Sequence, residues 1–210
     1  SSVGNTNMLS DYAAIKNGSY GKLMKAYYAK QDAEKLSGKG DTSQKLTLMK
    51  TSADSLKKSA DALNDSSLWE KKKIKKKDEK TGEEIEVEDY DWDKITKAVK
   101  SFVEDYNDVV KEAGESNTKD VLRNASWMTG MTDKNSNMLA KIGITIGKGN
   151  KLELDEDALK QADISSLKTV FTGYNSFVSK ISQKATGISN AANRASATYT
   201  NNGTYSKTDS

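Results

Sequence analysis

The sequence predicts a mainly α protein, an elongated helical bundle with coiled-coil-like seams and two small β-hairpins. Three observations carry this expectation. No proline occurs in 210 residues, against a usual share of about 5%, so nothing interrupts long helices. Apolar residues recur at alternating spacings of 3 and 4 in three stretches, the period of a helix that buries one narrow stripe. Two short alternating runs flank glycine-containing turns, as the strands of antiparallel hairpins do.

Residues 1–67 read as an N-terminal helical hairpin. Ser10-Asp11-Tyr12 can cap a short helix that stops at Asn17-Gly18, and Ser19 opens a second helix carrying Leu23, Ala26, Tyr27 and Leu36. Ser37-Gly38-Lys39-Gly40-Asp41 is the turn that lays residues 20–36 against 43–64. In the latter stretch Leu46, Met49, Ala53, Leu56, Ala60 and Leu63 form the first seam.

Residues 68–90 are predicted as a charged hairpin insertion. Six lysines in the seven residues 71–77 would suggest an anion-binding patch, but nine acids follow between Asp78 and Asp93. Against the seven lysines of residues 71–80 they leave the segment at a net charge of −2. Folding the chain at Lys80-Thr81-Gly82, with partner numbers summing to 161, sets Lys73, Lys75 and Lys77 opposite Glu88, Glu86 and Glu84. Ile74 then faces Val87, and Ile85 is expected beside Lys76 on the other face. The hairpin is thereby self-neutralising, with Lys73, Lys75 and Lys77 as the competing ligand surface.

Residues 91–200 hold the other two seams. Ile95, Val99, Phe102, Tyr106, Val109 and Ala113 form the second, ended by Gly114 as a left-handed closing residue. Asn117-Thr118-Lys119-Asp120 opens a short helix to Trp127, and Thr132-Asp133 opens another ending near Lys141. Ile142-Gly143-Ile144-Thr145-Ile146 and Lys151-Leu152-Glu153-Leu154 make the second hairpin about Gly147-Lys148-Gly149-Asn150, and Asp155 caps a helix through Ala158, Leu159 and Ala162. The third seam is the longest: Tyr174, Val178, Ile181, Ala185, Ile188, Ala192, Ala195 and Tyr199. That helix would run roughly 40 Å. Residues 201–210 are expected as a loose tail.

The chain also contains no His and no Cys, which removes thiolate chemistry, disulfides, imidazole-ligated metals and any Ser-His-Asp relay. No metal, cofactor or catalytic residue is expected. Gly147-Lys148-Gly149 lacks the helix-opening Lys-Ser or Lys-Thr of a phosphate loop. Asp155-Glu156-Asp157 reads as a cap with first-turn acids rather than a calcium loop. Glu104 and Asp108 fall on an exposed helical face, and Trp92 and Trp127 are expected to plug the bundle at helix ends. A net charge of +3 is too small to imply nucleic acid, and no run of about 18 apolar residues predicts a membrane span. From Gly173 to Thr200 there is no acid at all. Small uncharged residues there permit close approach of helices from this chain or from a neighbouring subunit.

Several pieces of the second half, in order, resemble one family. Ala98-Val99-Lys100-Ser101-Phe102-Val103-Glu104-Asp105-Tyr106-Asn107-Asp108-Val109-Val110 is similar to a helix of the bacterial flagellar filament cap protein, or hook-associated protein 2, family. Lys119-Asp120-Val121-Leu122-Arg123 resembles the short helix after it. Leu139-Ala140-Lys141-Ile142-Gly143-Ile144 with Gly149-Asn150-Lys151-Leu152-Glu153-Leu154-Asp155-Glu156-Asp157-Ala158-Leu159 resembles its hairpin and following helix. Val170-Phe171-Thr172-Gly173 resembles the step before its long C-terminal helix. The resemblance implies a short or partial relative built on the leg-like helical domain: an extracellular structural protein of the flagellum or cell surface, without an active site. Its partners would be itself or axial proteins such as flagellin. Family members that act in adhesion imply the alternative, a surface module binding host protein or glycan through residues 68–90.

Overall fold

The computed structural model describes residues 40–208, with side chains described through residue 198. The two helices expected ahead of residue 37 lie outside the described residues. Seven α-helices and two two-stranded antiparallel sheets occur among the described ones, so the molecule is mainly α with two small hairpins.

Helix α1 spans Ser43–Leu63, and all six residues of the first seam are buried. The Thr42 hydroxyl caps it by accepting the Lys45 N–H at 3.1 Å, a contact that contributes about 1 kcal/mol. Just before it, the buried Asp41 carboxylate accepts from Ser116 Oγ at 2.6 Å, Asn117 N–H at 2.7 Å and Thr118 Oγ1 at 2.6 Å. A 3₁₀ turn, Ser66–Trp69, follows α1. The Trp69 indole donates to the Leu63 carbonyl at 2.7 Å and its ring stacks on Phe171 at 5.7 Å.

After the charged hairpin, strands β1 (Lys72–Lys77) and β2 (Glu84–Asp89), comes helix α2, Trp92–Gly114. It buries the whole second seam together with Thr96, Val103 and Val110. The stripe is wider than a coiled-coil seam because α2 meets α1 on one side and the second hairpin and the next helix on the other. Gly114 does not close the helix in a left-handed conformation. It stays helical, and Glu115, at φ −96°, ends the helix with its N–H shared between the Ala113 and Glu112 carbonyls.

Helix α3 runs Lys119–Lys134 without the expected break after Trp127. The Thr129 and Thr132 hydroxyls donate back to the Ala125, Ser126 and Met128 carbonyls. Thr132, which reads as a helix opener, is thus satisfied inside a helix. The second helix is the short α4, Ser136–Ala140. Strands β3 (Ile144–Ile146) and β4 (Leu152–Leu154) pair as the second hairpin, with Gly149 at φ 66° and Asn150 at φ 68° in the turn. Asn107 of α2 grips its outer edge: the amide donates to the Leu152 carbonyl at 3.0 Å and accepts the Leu152 N–H at 2.7 Å. Gly143, at φ 90°, lets the Asp155 backbone pass so closely that a Cβ would sit 2.7 Å from its carbonyl oxygen. The Asp155 carboxylate then caps helix α5, Glu156–Gln161, by accepting the Ala158 N–H at 3.1 Å. A separate helix, α6 (Ile164–Phe171), has no predicted counterpart.

Helix α7, Phe177–Thr208, has 32 residues and a length of about 48 Å. It starts later than expected. Gly173, at φ 103°, turns the chain, and Tyr174 lies before the helix with 82% of its surface exposed, outside the seam. Asn64 holds this turn from the end of α1, accepting the Gly173 N–H at 2.8 Å and donating to its carbonyl at 3.2 Å. At the other end helical backbone continues to Thr208, into the stretch expected to be loose. One core cluster joins α1, α2, α3 and α7.

Candidate assembly surfaces

Val178, Ile181, Ala185, Ile188 and Ala192 of the third seam are buried, and Ala195 is half-buried against the same core. Tyr199 lies beyond the described side chains. These residues face α1 and α3 of their own chain. Against α1 the helix runs antiparallel in a fixed register. Ser182 donates to Asp61 at 2.7 Å and Ser189 donates to Asp54 at 2.6 Å. Each carboxylate also binds a lysine one turn back, Lys57 at 2.6 Å and Lys50 at 2.7 Å. Burial pushes both carboxyls up, but the bonds from lysine and serine outweigh it and hold both below the reference value of 3.8. The sequence signal for this ladder is the shared seven-residue step of Asp54 to Asp61 and Ser182 to Ser189.

Against α3 the approach is close. A Cβ on Gly187 would lie 2.5 Å from Asn124 Oδ1. Beside it Lys184 Nζ sits 5.0 Å from the centroid of Trp127, a cation–π contact. Trp127 does not plug the bundle: it is mid-helix and 45% exposed. Trp92 is half-buried, edge-on to Tyr90. What remains on α7 is an outward face of Lys180, Gln183, Asn190, Asn193 and Arg194, all exposed and without an acid among them.

The charged hairpin pairs in the expected register, Lys73 with Glu88, Ile74 with Val87, Lys75 with Glu86 and Lys77 with Glu84. Gly82 supplies the φ of 71° that the turn needs. The facing of Ile85 differs from expectation. Side chains alternate with period two, so its partner Lys76 shares a face with Ile74, and Ile74, Val87 and Ile85 lie together. Lys73, Lys75 and Lys77 are exposed, and the ion pair closed in the hairpin is Lys76 to Asp89 at 2.5 Å. The strands contact chiefly each other and project from the helices.

Glu104 and Asp108 are exposed on α2, as expected of solvated carboxylates. Between them Asp105 is pushed up by burial, and by the charges of Asp108 and Glu104, against a bond from Ser59. Among the described residues no three His, Cys, Asp or Glu side chains converge as a metal site, and no helix is long and apolar enough to cross a membrane.

Residues 116–210, just under half of the chain, match the family model described as flagellar hook-associated protein 2 C-terminus. Searches of curated proteins and of solved structures found no match.

Proposed function

Since the chain is a partial relative of the flagellar hook-associated protein 2 family through residues 116–210, we propose that it is a non-enzymatic structural protein of the flagellum. In this reading it acts outside the cell and associates, helix against helix, with axial proteins such as flagellin. The observation that carries it is the outward face of α7. The seam of that helix is occupied by α1 and α3, while Lys180, Gln183, Asn190, Asn193 and Arg194 remain exposed; α7 itself carries no acid, and Arg194 lies 3.9 Å from Asp120 of α3. A face with Lys180 and Arg194 and no acid of its own suits a second helix that carries carboxylates. Binding of host protein or glycan through residues 68–90 has no observation in its favour, because a glutamate stands opposite each of Lys73, Lys75 and Lys77.

Co-sedimentation with flagellin filaments tests the reading. The wild-type chain is expected to pellet with filaments, and Asn190→Glu combined with Asn193→Glu is expected to weaken binding roughly tenfold, by repelling an acidic partner helix. A wild type that leaves filaments bare, or a double variant that binds as well as the wild type, sinks the α7 reading.

A further inference from the structure

Among the described residues the charged hairpin leaves both strand edges open, and the two edges carry opposite charge. Asp78 donates its N–H to the Glu83 carbonyl at 2.7 Å. In the alternating antiparallel ladder the pairs Lys76–Ile85, Ile74–Val87 and Lys72–Asp89 therefore exchange hydrogen bonds. The other pairs, Lys73–Glu88, Lys75–Glu86 and Lys77–Glu84, aim their backbone N–H and C=O groups away from the hairpin. Each edge is a row of backbone donors and acceptors that a further strand can use. Five of the six residues of β1 are lysines, and four of the six of β2 are acids.

We propose that these edges form a self-association site, in which β2 of one copy pairs with β1 of the next and the sheet continues from hairpin to hairpin. The strand directions allow it. β1 and β2 are antiparallel within a hairpin, so β1 of a second copy beside β2 of the first preserves the antiparallel order. The charges select it. Lys73, Lys75 and Lys77 of the added strand meet Glu88, Glu86 and Glu84 of the neighbour while keeping their own. Two-fold pairing, β1 on β1 or β2 on β2, would set like charges opposite one another, which is destabilising. Edge lysines ordinarily keep other chains away, but the edge offered by a second copy carries the complementary charge. Because the partners use different strands, the contact is heterologous and generates a ring or an open row. This inference rests on the hairpin alone and goes beyond the axial reading, which rests on α7.

The test uses the full chain in sedimentation velocity. The wild type is expected to form oligomers that grow with protein concentration and whose association weakens roughly tenfold between low and high salt. Lys75→Pro removes an outward N–H from β1 without removing a ladder bond, and Glu86→Pro does the same on β2. Each alone is expected to be monomeric, and an equal mixture to give a heterodimer, since each supplies the edge that the other lacks. Reversing one strand (Lys73→Glu, Lys75→Glu, Lys77→Glu) is expected to abolish association. Adding Glu84→Lys, Glu86→Lys and Glu88→Lys restores the pairs inside the hairpin and is expected to restore assembly. A wild type that stays monomeric, proline variants that oligomerise fully, either one dimerising alone, or a six-fold exchange that remains monomeric overturns the proposal. Filament binding by the monomeric proline variants separates a failure here from a failure of the α7 reading.

Discussion

Asn107 shows how one side chain can hold two elements together. It satisfies both backbone groups of Leu152, which face away from β3 and would otherwise leave the outer edge of β4 bare beside α2. Asn107→Ala removes a donor and an acceptor at once. Two neutral hydrogen bonds with partly buried partners predict a loss of about 2 kcal/mol, read as a lower urea midpoint with unchanged slope. An unchanged midpoint would show that water replaces the amide at no cost. The role was not legible in the sequence although Asn107 lies within a recognisable helix. Its partner is 45 residues away, and no local spacing announces such a pair. The buried Tyr106 is similar: its hydroxyl donates to Thr132 at 2.8 Å, and burial pushes it well above the usual tyrosine range. The seam placed Tyr106 in the core without indicating what would receive its proton.

Between elements, the seam supplies burial, and the ladder of Asp54–Ser189 and Asp61–Ser182 fixes the register of α1 against α7. Its pH dependence has a definite sign. A carboxyl whose pKa is lowered in the folded state binds fewer protons there than in the unfolded chain, so its contribution is present above 3.8 and is lost as pH falls through the folded value. Asp105 has the opposite sign. Its raised pKa means that its charge opposes folding at neutral pH and is relieved on acidification. Urea titrations from about pH 7 to pH 3 are therefore expected to show a shallower acid-side loss for Asp54→Asn with Asp61→Asn, and a higher neutral midpoint for Asp105→Asn. The first effect is small, because both ladder carboxylates are about half exposed and screened by solvent. At this scale the sequence was most readable where burial alone decides: the six-residue seams of α1 and α2 are buried in full. It was least readable in α3. Thr132 has the chemistry of a helix opener, and only the backbone partner of its hydroxyl reveals it as interior.

The described residues form a helical core from which residues 72–89 project. Lys72 and Asp89 already stand opposite each other, so a glycine-containing turn can replace the strands without stretching the chain. The excised protein is expected to keep its helical circular dichroism and to melt within about 4 °C of the wild type, while losing the capacity to self-associate. A collapse of the melting transition would instead make the hairpin part of the folding core. Its register was legible because charge and apolar patterning agree on one alignment. The start of α7 was not, since Tyr174 continues the seam's arithmetic and only the left-handed turn at Gly173 takes it off the helix. The Asp41 carboxylate, with its three short bonds to residues 116–118, has a mechanical consequence. A pull on the chain from its N-terminal side is borne first by that anchor and shed into the corner between α2 and α3, so that the first turn of α1 is shielded from tension.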